Sequence, residues 1–310
     1  MSPEEYLRSL AEESKRLIQG NVARNTVVGY RYDWAMFETW CARYGRAPFP
    51  AEPETVLLYL TDLIHTGKKV STANRRKCAI AYTHRSRGAS SPVTEEVKRM
   101  LSGARRLLAQ RKRQMTPLTV EQLGAISCEL AKSSRLTASR DRALLVLGFA
   151  SALRRSSLVA LRVEDVEFRK EGLVVHVDRE KQDRKGEGRL VGVMRGKHAA
   201  TCPVRTLQAW LARRGSAPGP LFPRQRRGAG PLDGDSVTRI VKNCVRLIGL
   251  DPKDWGSHST RAGLITEAGL AGLGDLQIAE QSGHRSMEVL RGYFRPQALF
   301  RGNISGCVGL

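Results

Sequence analysis

From residue 25 to residue 108 the apolar side chains recur every three or four positions, run after run, and nowhere in that stretch do they alternate. A chain patterned this way buries stripes along helices rather than one face of a sheet. In NTVVGYRYDWAMFETWCARYG, residues 25–45, Tyr30, Trp34, Phe37 and Cys41 fall at helical spacing behind the candidate caps Asn25 and Thr26. FPAEPETVLLYLTDLIHTG sets Pro53 near a helix start and Gly67 at its end. Ser71 is placed to cap TANRRKCAIAYTHRSRG, and TEEVKRMLSGARRLLAQ leads into the basic RKRQM. These runs predict an N-terminal helical bundle over residues 1–108.

The periodicity stops at AQRKRQMTP, and residues 109–117 read as a linker to a second domain, 118–310. Thr119 with Gln122 makes a capping box that opens the first helix of that domain. SRDRALLVLGFASAL is apolar nearly all round, as a buried helix is. GLVVHVD and GRLVGVM have strand composition and flank the polar REKQDRKGE, which predicts a small antiparallel sheet with a basic hairpin. From PVRTLQAWLARR onward the chain returns to helices. The expected fold is mainly α in two domains, the second mixed α+β.

Charge narrows the function. The chain has 310 residues, with 52 Lys plus Arg against 30 Asp plus Glu, a formal net charge of +22. An excess this large points to a polyanionic partner, nucleic acid before acidic membrane. It is shared: residues 1–116 hold 21 basic and 11 acidic side chains, so each part is strongly positive and both are expected to touch the polyanion. No apolar run is long enough to span a bilayer, and the N-terminus reads as neither signal nor transit peptide. Six scattered cysteines without a C-x-x-C read as reduced thiols of a cytoplasmic protein, not as a zinc site.

Five places in the second domain have residues suited to chemistry: Arg154 with Arg155 in SALRRSS, Lys181 in the basic hairpin, His258 and Arg261 in SHSTRAG, His284 after Gly283, and Tyr293 in GYFR. Each has a plain alternative. Arg155, Lys181 and Lys185 fit solvated surface charge or phosphate anchors, His258 fits a capping or core histidine, and Tyr293 beside Phe294 fits ordinary packing. The order Arg, Lys, His-x-x-Arg, His, Tyr is much harder to obtain by accident.

Over residues 25 to about 300 this ordered set resembles the tyrosine recombinases of the phage integrase family, whose catalytic set is Arg, Lys, His-x-x-Arg, His or Trp, and Tyr. The matches are ALR at Arg154, REKQD at Lys181, HSTR at His258 and Arg261, GH at His284 and GYFR at Tyr293. The resemblance implies a SAM-like core-binding domain in the helical first part and a catalytic domain in the second. It implies a site-specific recombinase that acts as a tetramer on short inverted-repeat sites in double-stranded DNA and lacks the additional N-terminal domain of larger members. The tail, about 296–310, with Phe300, Ile304 and Val308 four apart, would dock on a neighbouring protomer, although a frayed terminus fits its glycines equally well.

The chemistry suits these residues. Tyr293 would be the nucleophile that stays attached to the strand, and Arg154 and Arg261 a clamp whose planar forks meet phosphate bidentately. A free tyrosine, with a pKa near 10, is about one part in a thousand ionised at pH 7, a deficit of roughly 4 kcal/mol that the clamp and a proton acceptor must offset. His258 is the expected general base or phosphate contact, Lys181 the general acid with Lys185 as its substitute, and His284 a hydrogen-bond donor to the phosphate. No metal and no cofactor are expected. Asp233 and Asp235 read as turn formers, and no G-x-x-x-x-G-K-[ST] loop occurs.

For DNA contact, the helix from Ser71 offers Arg75, Arg76, Lys77, Arg85 and Arg87, and the linker offers Arg111, Lys112 and Arg113. Two positions depart from the family. Ser157 stands where most members have an acidic residue, and Ala152 stands where Gly usually precedes Leu-Arg. Two other readings stay open at this point: a type IB topoisomerase-like enzyme, and a catalytically silent DNA-binding protein of the same fold.

Overall fold

The computed structural model describes residues 2–20, 24–109, 114–178, 188–225 and 230–293. It divides into two compact units, Met1–Lys112 and Arg113–Leu310.

The first unit has helices α1 (Pro3–Gly20), α2 (Arg24–Arg43), α3 (Pro53–His65), α4 (Val70–Ser86) and α5 (Glu95–Leu108). Its core follows the helical spacing: Trp34, Phe37 and Cys41 from α2 meet Val56, Tyr59, Leu60 and Leu63 from α3, with Ala73 and Ile80 from α4 and Val97 and Leu101 from α5. Two expected caps are displaced. α2 is already helical at Arg24, so Asn25 and Thr26 lie inside it, and α4 starts at Val70 with Lys69 as its N-cap, so Ser71 is within the first turn. Val70 is buried, and packing it carries the helix two residues further back than turn chemistry suggests. α1 has no counterpart among the runs read from the sequence.

The second unit opens with α6 (Val120–Ala131) behind the Thr119–Gln122 capping box, followed by α7 (Leu136–Ala150), whose residues Ala143 to Phe149 are all buried. The short α8 (Arg155–Ala160) leads to the strands β1 (Val166–Phe168), β2 (Gly172–Val177) and β3 (Arg189–Met194). β2 is central and pairs antiparallel on both sides, Val175 facing Val166 on β1 and Val191 on β3. β2 and β3 are the expected strands. β1, at three residues, is too short to show a period. Leu173, Val175, Val177, Val191 and Val193 turn one face of the sheet into the core.

Helices α9 (Pro203–Arg214), α10 (Gly234–Leu247), α11 (His258–Leu270), α12 (Asp275–Ser282) and α13 (Met287–Arg291) complete the unit. Asp233 is the N-cap of α10, its carboxylate accepting from Ser236 N at 2.6 Å, and Asp235 lies in the first turn of that helix. A smaller cluster of Ile265, Ile278, Ala279 and Leu290 joins α11, α12 and α13, with Tyr293 packed against it.

Candidate active site

Arg261 is 2 % exposed in the first turn of α11, and the seating of that helix decides where its guanidinium points. Leu118 N donates to Ser259 O at 2.9 Å, which lashes the chain entering α6 to the start of α11. Gly263 makes the approach possible: a Cβ there would stand 2.1 Å from Leu118 O and 2.7 Å from the Phe149 ring. The glycine of HSTRAG is thus a close-packing residue. His258, the first residue of α11, stands exposed one turn before the buried Arg261.

Arg261 is held from two sides. Its Nη1 donates to Ala152 O at 2.5 Å, and its Nη2 lies 3.1 Å from His284 Nε2 and 3.3 Å from Nδ1. Ala152 itself has φ of 49°, in the left-handed region that glycine occupies at least strain. That explains why a glycine is usual here: the chain must turn sharply out of α7 to aim its carbonyl at Arg261 and deliver Arg154 two residues later. Arg154, the N-cap of α8, donates from Nη2 to Gly283 O at 3.2 Å.

The C-terminal turn of α12 therefore gathers the site. Gly283 ends the helix in the left-handed conformation, its carbonyl receives Arg154, and the next residue, His284, meets Arg261. Arg189, at the start of β3, donates to the carbonyls of Glu280 and Gln281 at 3.4 and 3.2 Å, where a cation complements the helix dipole. The carboxamide of Gln281 bridges Ala150 O and Gly192 O, both at 3.1 Å, so the same turn is tied to α7 and to β3. Neither residue was singled out from the sequence, because neither belongs to a motif.

Burial first, then the Arg261, Arg154 and Arg189 charges, push the His284 imidazole down to about 4, so it is neutral at pH 7. The Tyr293 ring meets the His284 ring edge-on with centroids 5.5 Å apart, and Gln114 donates to Gly292 O, beside Tyr293, at 3.3 Å. Arg154, Arg261, His284 and Tyr293 are thus linked contact by contact. Lys181 and Lys185 fall outside the described residues, as do Arg111, Lys112 and Arg113.

Two neighbours of the clamp take plain roles. Arg155 turns to the start of α10, its Nη1 donating to Gly234 O and Asp235 Oδ1 at 3.3 Å each. Ser157 is buried and its hydroxyl has no hydrogen-bond partner, so the position that usually carries an acid holds an unsatisfied polar atom.

On α4, Arg75 forks onto the buried carboxylate of Asp33, with Nε and Nη2 at 2.7 and 2.9 Å from its two oxygens, yet stays largely exposed. Arg76 is drawn inward, bonded to the Tyr59 hydroxyl and 3.7 Å from Asp33, so its charge is used inside the bundle instead of on the surface. Lys77 bonds Asn74 at 3.0 Å, Arg85 is exposed, and Arg87 stacks over Trp34 and Phe49 at 5.1 Å from each ring centre. One basic face escaped notice in the sequence: Thr238, Arg239, Lys242, Asn243 and Arg246 border a shallow groove along α10. Their spacing of three and four residues was the available signal.

Residues 113–299 match the phage integrase family. The chain belongs to that family. It is 33 % identical over 302 residues to an integrase/recombinase XerD homolog of Selenomonas ruminantium, covering 95 % of this chain and 88 % of the relative. The recombinase Cre of Escherichia phage P1 is 26 % identical over 286 residues, covering 84 % and 80 %. Among solved structures, the Tn1549 transposon integrase in complex with transposon right end DNA aligns at a TM-score of 0.64 and 17 % identity over 92 % of this chain and 93 % of its own. A lambda integrase dimer bound to a core site aligns at 0.62 and 17 % over 94 % and 78 %. The structural likenesses establish the two-domain recombinase fold, and the family makes this chain a tyrosine-type site-specific recombinase.

Proposed function

We propose that the chain binds double-stranded DNA with both units, breaks a strand by attack of Tyr293 on a phosphodiester, and rejoins it to another strand without metal or nucleotide cofactor. The reading rests on one observation: Arg154, Arg261, His284 and Tyr293, spread over some 140 residues of sequence, are linked around the turn that ends α12.

Two guanidiniums facing one phosphate offset the charge that builds on its oxygens as the tyrosine oxygen adds, and their protein anchors place them before the substrate arrives. The phosphotyrosyl ester then conserves the bond energy that the second exchange needs. His258, the exposed first residue of α11, is assigned to the Tyr293 proton or a phosphate oxygen, and Lys181 to the leaving 5′-oxygen. The basic face of α10 and the exposed Arg75, Arg85 and Arg87 are assigned to DNA. We assign the working assembly as a tetramer on inverted-repeat sites. An open apolar groove lined by Phe149, Leu264, Leu273 and Ile278 offers the tail of a neighbouring protomer a place to dock.

The test is a nicked suicide duplex carrying a site selected from a randomised inverted-repeat library. A covalent 3′-phosphotyrosyl adduct is expected with the native chain and not with Tyr293→Phe; an adduct that persists in the variant removes Tyr293 as nucleophile. Strand-exchange products should need paired sites, whereas relaxation of plasmid lacking any such site would assign the chain to topoisomerase-like chemistry instead.

A further inference from the structure

Ser282, the last residue of α12, is 1 % exposed, and its hydroxyl lies between two groups: Oγ is 2.5 Å from Ile278 O and 2.7 Å from His284 Nδ1. A hydroxyl has one hydrogen to give. Were it given to Nδ1, the Ser282 and Ile278 oxygens would face each other with no proton between them. The opposite arrangement puts one proton in each of the two short contacts of Oγ. Oγ donates to Ile278 O and Nδ1–H donates to Oγ, which leaves Nε2 without a hydrogen. Arg261 Nη2 does not decide between the two arrangements, since at 3.1 Å from Nε2 and 3.3 Å from Nδ1 it stands over the ring instead of on either in-plane nitrogen direction.

The surroundings keep the ring in that state. The charged groups facing it are cations, Arg261 from α11, Arg154 from the residues before α8 and Arg189 from β3, while Tyr293 stands edge-on after α13. A neutral imidazole with its hydrogen on Nδ1 has no hydrogen on Nε2 to offer a phosphate oxygen.

We propose that Ser282 is a positioning residue that holds His284 in the Nδ1–H form, so that His284 becomes a donor to phosphate only by taking one proton from solvent at Nε2 when the oxyanion arrives. The incoming negative charge reverses the field at the ring. The Nε2 lone pair accepts the proton, and no other bond forms or breaks. This rests on the phosphate-handling reading of the site. Its consequence is that oxyanion affinity rises as pH falls, by up to about tenfold per pH unit between the His284 midpoints of the free and occupied protein.

The experiment is nuclear magnetic resonance of the full chain with ring-nitrogen-labelled histidine, His284 being assigned by its disappearance in His284→Gln. The free protein should show the Nδ1–H tautomer. Sulfate, which stays fully ionised over the range, should raise the His284 midpoint by about one unit or more. Without the hydroxyl, Nδ1 loses its acceptor, and Arg261 Nη2, near both ring nitrogens, favours neither tautomer. Ser282→Ala should therefore give a mixture and lose most of the pH dependence of sulfate binding, and Ser282→Thr should restore both. An Nε2–H tautomer in the free native protein overturns the proposal, as does sulfate that leaves the His284 midpoint in place, or a Ser282→Ala variant that titrates like the native chain. None of these readouts involves DNA cleavage, so their failure is separate from failure of the Tyr293 adduct.

Discussion

Gly263→Ala tests how α11 is seated, and with it the placement of Arg261. The added Cβ would lie 2.1 Å from Leu118 O, 3.1 Å from the Leu118 carbonyl carbon and 2.7 Å from Phe149 Cε2. Carbon rests against a carbonyl oxygen no closer than about 3.3 Å, so α11 and the segment at Leu118 must part by about 1 Å. The obstruction is backbone, fixed by the Leu118 N to Ser259 O hydrogen bond, and cannot rotate aside. Overpacking of this kind costs about 3 kcal/mol at the upper end of its range. Alanine's better helix propensity returns about 1 kcal/mol, leaving a net loss of about 2 kcal/mol. The same movement displaces His258 and Arg261, and about 1 Å at a reacting centre lowers a rate by about a hundredfold. Urea unfolding should show a lower midpoint, and single-turnover cleavage a slower rate. Gly103→Ala in α5 is the control: its Cβ meets nothing within 4 Å, so it should gain about 0.5–1 kcal/mol. If Gly263→Ala gained stability as that control does and cut DNA at the native rate, the close approach would be refuted.

His284 also predicts an acid limb of stability. Its folded midpoint of about 4 lies below the unfolded value near 6.5, so the unfolded chain binds the extra proton between them and stability falls as pH drops through that window; His284→Gln should flatten this part of a urea-midpoint-versus-pH curve. Ser157→Ala removes a buried hydroxyl without a partner, and should leave stability unchanged or raise it by about 1 kcal/mol in thermal unfolding. If Lys181 protonates the leaving oxygen, Lys181→Ala should cleave a 5′-phosphorothiolate duplex at close to the native rate while failing on the ordinary one, since a thiolate leaves without an acid.

The helices of the first unit were legible because the stripe of Trp34, Phe37 and Cys41, or of Val56, Leu60 and Leu63, is periodic within one element. The capping box at Thr119 and Gln122 and the strands β2 and β3 were legible for the same reason: their signals span a few neighbouring residues. Where tertiary packing competes with local chemistry, the reading slipped, as at α4, where burial of Val70 moved the start ahead of Ser71. The departures at Ala152 and Ser157 could be noticed in the sequence but not interpreted. A positive φ and an unsatisfied hydroxyl exist only once the chain is folded. Arg76 looked the same as Arg75 in ANRRKC, and only the buried carboxylate of Asp33, 43 positions away, divided one arginine for the interior from one left largely exposed.

By itself the sequence determined the set of groups and their order along the chain: two arginines, three histidine and tyrosine positions and a hairpin lysine, with a net positive charge on both units. Those are properties of residue type and spacing, which need no fold to exist. The tertiary structure alone decided that Arg154, Arg261, His284 and Tyr293 meet at the α12 turn, because Arg154 and Gly283 are 129 residues apart and Arg261 and Ala152 are 109 apart, held by backbone carbonyls that carry no residue-specific signature. It also placed the Ser282 hydroxyl between Ile278 O and His284 Nδ1, and a single proton can serve only one of them.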